Sequence, residues 1–113
     1  MSNTNNECVS ETIGDYVLVR LRGEVDLSWS QQVRRAILDA LGRTGKVGVE
    51  LSQVSYIDSS GIAALVEGFQ SARGKGQKFG LVATSQAVMA VLQLARLDRV
   101  FPLYPDLDSA RSA

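Results

Sequence analysis

The feature that most constrains the fold is the regular change in hydrophobic period along the chain. Residues 16–22, YVLVRLR, alternate with a period of two, so Val17, Val19 and Leu21 share one face of a strand. We expect that face alone to be buried. Residues 29–41 then repeat their apolar side chains at the spacing of an amphipathic helix. Strands that alternate with helices predict an α/β fold, in which helices cover a sheet.

The rest of the chain continues this alternation after an opening hairpin that turns at Gly14 and Asp15. No long linker and no internal repeat divides the sequence. We therefore expect one domain with a mixed sheet over residues 9–113, preceded by a flexible N-terminal tail over residues 1–8. The remaining predicted elements are strands over 8–13, 46–51, 78–83 and 100–104 and helices over 60–73, 85–97 and 106–111.

Composition excludes several classes of function. The 113 residues carry 12 basic and 12 acidic side chains, and a net charge of zero argues against direct nucleic-acid binding. No apolar run approaches the length of a membrane span, so membrane insertion is not expected. The polar start lacks the features of a signal peptide, and the single cysteine, Cys8, reads as a reduced thiol. A cytoplasmic protein is predicted.

The most informative motif is DSSG, residues 58–61, where a strand leads into a helix. Either Asp58 or Ser59 is expected to cap the helix N-terminus. If Ser59 caps, Ser60 is the first helical residue and its hydroxyl faces solvent. Gly61 would then leave the backbone open to another molecule. A phosphate on Ser60 would be tolerated at the positive helix end and would change which partner surface fits.

Catalytic use of Ser60 is disfavoured, because a nucleophilic serine needs a base and the chain has no histidine. Lys75 and Lys78 are expected at the far end of the same helix. The acids Glu24 and Asp26 read as turn and surface acids in preference to a Mg²⁺ site, since two carboxylates alone rarely hold a metal. We predict a protein that is not an enzyme, with no catalytic residue, metal or cofactor.

The start of the first helix offers a second candidate contact. Ser28 and Gln31 fit a capping box, and Gly42 fits the helix end. Trp29 is interpreted first as a half-buried lid on the core and second as an exposed interface anchor, a role in which tryptophan is enriched. Asp26 is expected to order the preceding loop by accepting backbone N–H bonds.

Three segments together resemble a known family. GEVDL, VSYIDSSGIAALV and LARLDRVFPLYPDLDSA occur in the order and spacing of STAS domains, and bacterial anti-sigma factor antagonists are the most similar group. The resemblance covers residues 9–112. It implies a mixed four-to-five-stranded sheet with helices packed mainly on one side.

The resemblance also implies a mechanism. The unphosphorylated antagonist would bind an anti-sigma factor that is also a serine kinase of the histidine-kinase-like ATPase type, and would thereby release a sigma factor. The kinase would phosphorylate Ser60, the second serine of the motif, and a PP2C-type phosphatase would reset it. The predicted partner-binding residues are Asp26, Trp29, Asp58, Ser59, Ser60 and Gly61.

Other members of the family work differently, and two alternatives stay open at this point. Some are small subunits of lipid-transport ABC systems, which would use the same surface without phosphorylation. Others belong to stress-sensing assemblies. An appended transporter domain is disfavoured by the free-standing length.

Overall fold

The computed structural model describes residues 6–113 and has the predicted alternation of strands and helices. A 3₁₀ turn, Leu97–Arg99, follows the third helix. The strands and helices, in chain order, are β1 (Glu7–Ile13), β2 (Tyr16–Val25), α1 (Ser30–Arg43), β3 (Lys46–Ile57), α2 (Ser59–Gly74), β4 (Lys78–Val82), α3 (Gln86–Leu94), β5 (Leu103–Tyr104) and α4 (Leu107–Ser112).

The five strands form one mixed sheet in the order β1-β2-β3-β4-β5. β1 and β2 are the predicted antiparallel hairpin, and Gly14 makes its turn at a φ of +63°, a conformation that favours glycine. β2 to β5 are parallel. The last paired residues of β2 and β3 are Val25 and Ile57, so the two loops that follow them leave the sheet side by side.

The helices lie mainly on one side of the sheet, as expected. α1, α2 and α3 bury one face in a core that includes Val19, Val49 and Leu81. The small helix α4 covers part of the other face, where Leu18 is buried with Tyr16, Val82 and Ala110. The prediction that residues 16–22 bury a single face is therefore wrong at Leu18, because α4 returns over the start of β2.

The largest difference from the predicted elements is the length of β3, which runs on to Ile57. Beyond Glu50 it pairs with β2 alone, and the register shifts twice, between Arg20 and Arg22 and between Gly23 and Glu24. Each shift places an extra residue on β3 and exchanges the faces of the strand. Burial in this extension therefore recurs at every third residue, at Leu51, Val54 and Ile57. A sequence pattern that alternates with a period of two does not identify such a strand.

Several predicted element ends are wrong. α1 begins at Ser30 without a side-chain cap, and the predicted capping box does not form: the N-cap is Trp29, and Ser28 lies one residue earlier, where its hydroxyl donates to Asp26. α1 also continues through Gly42 and ends where the Thr44 N–H donates to the Ala40 carbonyl. The predicted strand over 100–104 is reduced to two residues, and the predicted helix over 85–97 ends at Leu94.

The boundary predicted between the tail, residues 1–8, and the domain differs from the structure at Glu7 and Cys8. Glu7 pairs with Arg22, and Cys8 pairs with Leu21 and packs against the core, so β1 already includes both residues. Residues 1–5 lie outside the part of the chain that the structure describes.

Two helical glycines give a matched test of the packing. A Cβ atom on Gly68 would lie 2.6 Å from Ile37 Cγ2, where α2 approaches α1, whereas a Cβ atom on Gly42 would meet nothing within 4 Å. We expect Gly68→Ala to lower the free energy of unfolding by roughly 1–2 kcal/mol, because steric strain outweighs the gain in helix propensity. Gly42→Ala should raise it by about 0.5–1 kcal/mol. Urea denaturation followed by circular dichroism measures both, and equal signs would contradict the close approach.

Candidate functional site

The candidate site is the N-terminus of α2, which follows directly on the end of β3. Asp58 is the N-cap: its Oδ1 atom accepts the backbone N–H groups of Ser60 at 2.9 Å and Gly61 at 3.2 Å. The Asp58 N–H donates to the Val25 carbonyl at 3.1 Å, which joins the cap to the end of β2. Of the two predicted caps, Asp58 is thus the one that the structure uses.

The two serines of the motif differ in accessibility. The Ser60 hydroxyl donates to Asp58 Oδ1 at 2.6 Å, and the residue is half-buried. The expectation that the Ser60 hydroxyl is free is therefore wrong, because it depended on Ser59 being the cap. Ser59 is instead the first residue of α2, and it is exposed. Its side chain forms no hydrogen bond to any residue of the described part, 6–113.

Gly61 does not open the backbone to a partner. It is buried, and a Cβ atom there would lie 2.7 Å from Val25 Cγ1 and 2.8 Å from the Val25 carbonyl oxygen. The end of β2 occupies the space that the sequence analysis assigned to another molecule. Gly61 allows α2 to pack against β2. Its place among the partner-binding residues stays a prediction, which its burial does not favour.

Asp26 orders the turn between β2 and α1, as expected. Its Oδ1 atom accepts the Ser28 N–H at 3.0 Å and the Ser28 hydroxyl at 2.6 Å. Its carbonyl oxygen accepts the N–H groups of Trp29 at 3.0 Å and Ser30 at 2.8 Å. Because Val25 and Ile57 are paired, this turn and the α2 N-terminus lie at the same edge of the sheet.

Trp29 is a core residue. Only 6% of it is exposed, and it belongs to the same buried cluster as Val33 and Ile37. The interpretation of Trp29 as an exposed interface anchor is wrong. The residue is also more fully buried than the half-buried lid that the sequence predicted. Since Trp29 lies at the start of α1, its side chain points inward with the buried stripe of that helix.

Leu27 is the exposed apolar residue of the site, and the sequence analysis missed it. It lies between Asp26 and Ser28 in the turn before α1 and is 74% exposed. The sequence signal was a single leucine between the turn acid Asp26 and the start of α1, a position where a leucine resembles a member of the buried helix stripe. Tyr56, next to the last residue of β3, is 50% exposed at the same edge.

The electrostatics of the site are governed by Asp58. The hydroxyl of Ser60 holds the pKa of Asp58 below its ordinary value of 3.8, and the N–H groups of Gly61, Ser60 and Leu27 act in the same direction against the effect of burial. The carboxylate is therefore ionised at neutral pH, at the positive end of α2.

Lys75 lies far from the serines of the motif. The C-cap of α2 is Lys75, so that lysine lies the length of the helix, about 24 Å for 16 residues, from the serines. No group of three metal-binding side chains occurs among residues 6–113. In the same residues, no helix combines the length and the apolar character needed to cross a membrane.

Fold and site together define a small α/β domain that presents an aspartate-capped serine pair at one edge of a mixed five-stranded sheet. The family model described as STAS domain matches residues 7–110. The chain therefore belongs to the STAS domain family.

Several known proteins are similar to this chain. An anti-sigma F factor antagonist of Paenibacillus polymyxa is 26% identical over 90 residues, which cover 78% of this chain and 77% of that protein. The crystal structure of an anti-sigma factor antagonist from Mycobacterium paratuberculosis has a TM-score of 0.85 at 28% identity, with 96% of this chain and 92% of that chain covered. SpoIIAA, a cell fate determinant of Bacillus, shares the fold in its phosphorylated form, with a TM-score of 0.74 at 21% identity over 94% of this chain and 97% of that chain.

The Asp58 cap predicts a pH-dependent contribution to stability. Asp58→Ala should lower the free energy of unfolding by about 1 kcal/mol at neutral pH, because two backbone donors lose their acceptor. Asp58→Asn keeps a capping oxygen but not the charge. Since the folded-state pKa is lowered, the advantage of wild type over Asp58→Asn should be complete above pH 3.8 and should be lost as the pH falls through the lowered pKa. Urea denaturation across this range measures it, and a pH-independent difference would contradict the role of the charge.

Proposed function

We propose that this protein is an anti-sigma factor antagonist, a binding module whose fit to an anti-sigma factor is switched by phosphorylation of the DSSG motif. The observation that carries the proposal is the exposed serine beside the Asp58 cap at the tip of α2. The functional names of the Paenibacillus and Mycobacterium relatives support it. A phosphorylated form of the structurally similar SpoIIAA supports the switch.

Within the motif, the geometry favours Ser59 as the phosphoacceptor in place of Ser60. A kinase must bring the γ-phosphate of ATP to the serine oxygen, so the oxygen has to enter another protein's active site. Ser59 is exposed, whereas the Ser60 hydroxyl is half-buried and bonded to Asp58 at 2.6 Å. A phosphate on Ser60 would remove that hydrogen bond and place its charge against the Asp58 carboxylate.

The added phosphate would change partner binding more than the stability of the fold. A phosphoserine carries about two negative charges at neutral pH, and the start of a helix tolerates them. Asp26 and Asp58 already make this edge acidic. The extra charge would oppose an acidic or apolar partner surface and so weaken docking.

The partners that fit this role are an anti-sigma factor that is also a serine kinase of the histidine-kinase-like ATPase type and a PP2C-type phosphatase. In this proposed role the protein binds and does not catalyse a reaction. The sequence contains no histidine that could activate a serine nucleophile. Because sigma factors act on RNA polymerase inside the cell, the proposal places the protein in the cytoplasm.

Intact-mass measurement after incubation with the cognate kinase and ATP tests the phosphoacceptor. Wild type and Ser60→Ala should each gain one phosphate, and Ser59→Ala should gain none. The reverse pattern would assign the phosphate to Ser60 and contradict the argument from exposure. If all three proteins gain phosphate, the double variant Ser59→Ala, Ser60→Ala decides: phosphate on it would remove the motif from the proposal. Ser59→Glu should also weaken binding of the kinase, as measured by calorimetry.

Leu27 gives a separate test of the docking surface. Burial of a leucine side chain contributes about 1.5–3 kcal/mol, so Leu27→Ala should weaken anti-sigma factor binding roughly tenfold to a hundredfold. Stability should not change, because the side chain is 74% exposed in the free protein. Val9→Ala is the matched control: Val9 is 53% exposed on β1, away from the motif. Equal affinities of wild type and Leu27→Ala would exclude Leu27 from the interface.

A further inference from the structure

β1 forms one edge of the sheet, and this edge is longer than the opposite one. β5, at the other edge, has two residues, whereas β1 has seven, Glu7–Ile13. β1 pairs with β2 through all seven residues without a shift of register, so no bulge bends the strand, and it contains no proline. A long and regular edge strand is a template for pairing with another strand.

The geometry of the β1–β2 hairpin decides which backbone groups of β1 face away from β2. The two-residue turn at 14–15 closes on Ile13 and Tyr16, and the closing pair of such a turn is hydrogen-bonded. Odd-numbered residues of β1 and even-numbered residues of β2 therefore bond to each other. The Asn6 side chain agrees with this alternation, since from the β1 side it donates to the Glu24 carbonyl at 3.3 Å and accepts the Glu24 N–H at 2.9 Å.

The other residues of β1, Cys8, Ser10 and Thr12, point their backbone N–H and C=O groups to the free edge. No turn or loop of residues 6–113 forms a backbone hydrogen bond with these groups. Their side chains are small and share the helix side of the sheet, where Cys8 packs against the core and Ser10 and Thr12 are exposed. A second strand can therefore approach this edge without meeting a bulky side chain.

The charges of β1 are compensated within its own hairpin. Charged side chains on an edge strand usually discourage pairing with another chain. Here Arg20 Nε donates to Glu11 Oε1 at 3.0 Å, and Arg22 Nη1 lies 3.6 Å from Glu7 Oε1. Between the two carboxylates lies Val9, which is 53% exposed on the face of the sheet opposite α1.

We propose that β1 pairs antiparallel with β1 of a second copy of this chain, about a two-fold axis at Ser10. The result is one continuous sheet with five strands from each copy. Ser10 then lies opposite Ser10 of the second copy, and Cys8 lies opposite Thr12. Each of these pairs uses the outward backbone groups of both strands and exchanges two N–H···O bonds.

Charge selects this register over its neighbours. A shift by two residues keeps the outward groups paired, but it places Glu7 opposite Glu11 in one direction and Glu11 opposite Glu11 in the other. Like charges that lie directly opposite each other destabilise a strand pair. With Ser10 on the axis, Glu11 lies opposite Val9 and its aliphatic stem covers part of that exposed side chain.

The proposed dimer is weak and independent of the phosphorylation switch. Two seven-residue strands form a contact smaller than a standard protein interface, so the dimer forms with rising protein concentration. β1 contains none of the residues assigned to the candidate site.

Disulfide cross-linking of the full chain, in a Cys8→Ser background, tests the register. Ser10→Cys should give a disulfide-linked dimer under mild oxidation, because the two Cα atoms at the axis would lie about 5.5 Å apart, within the range of a disulfide. Thr12→Cys is the matched control, since Thr12 is exposed on the same face. Two Thr12 residues would be offset by about 14 Å along the strands and should not cross-link. Non-reducing gel electrophoresis measures both.

Sedimentation velocity of the wild-type chain tests the dimer itself. The sedimentation coefficient should rise with protein concentration towards that of a dimer. Ser10→Pro should stay monomeric, because it removes the N–H donors at the axis. Its fold should be kept, since an edge strand tolerates proline where the N–H faces solvent. Ser10→Ala keeps the N–H and should associate like wild type, and circular dichroism checks the fold of both.

The remaining outcomes count against the proposal. A wild-type chain that stays monomeric at millimolar concentration would exclude a second copy as the occupant. If such a monomer lost anti-sigma factor binding in Ser10→Pro, the edge would belong to a strand of that partner instead. Unchanged association of folded Ser10→Pro would place the contact elsewhere on the molecule. Equal cross-linking of Ser10→Cys and Thr12→Cys would overturn the register, and this comparison decides also if Ser10→Pro does not fold.

Discussion

The structure of this site depends on one carboxylate. Asp58 accepts two backbone N–H groups and the Ser60 hydroxyl through a single oxygen, and its own N–H donates to the end of β2. These bonds begin α2, join it to the β2–β3 edge and restrain Ser60. Because the Ser60 hydroxyl is hydrogen-bonded to Asp58, the exposed hydroxyl of the motif is that of Ser59.

The neighbouring loop is also ordered by the hydrogen bonds of one aspartate. Asp26 uses its carboxylate on Ser28 and its carbonyl on the first N–H groups of α1, so it fixes the turn and leaves Leu27 exposed at its tip. Trp29, which follows, is buried in the core. The acids of this edge thus act mainly by shaping two loops, and the side chains available to another protein are the ones that the hydrogen bonds leave free.

Much of the fold was predictable because it is encoded in local periodicity. The hairpin, the alternation of strands and helices and the helices mainly on one side all agree with the structure. The second half of β3 was missed since two register shifts convert its burial to every third residue. Leu18 was assigned to an open face because the sequence pattern does not show that α4 returns over it. At the site, the sequence indicated the motif and its cap, but it did not show that the Ser60 hydroxyl bonds to Asp58 or that Gly61 and Trp29 are buried.

The sequence by itself determined the class of fold, the location of the DSSG motif at the start of a helix and the presence of acids beside it, because these follow from local spacing and residue type. Only the tertiary structure decided which serine is accessible, that Gly61 packs against Val25, that Leu27 is exposed and that β1 forms an edge of the sheet. Such outcomes depend on which distant segments meet, and exposure is a property of the packed chain that local sequence does not specify.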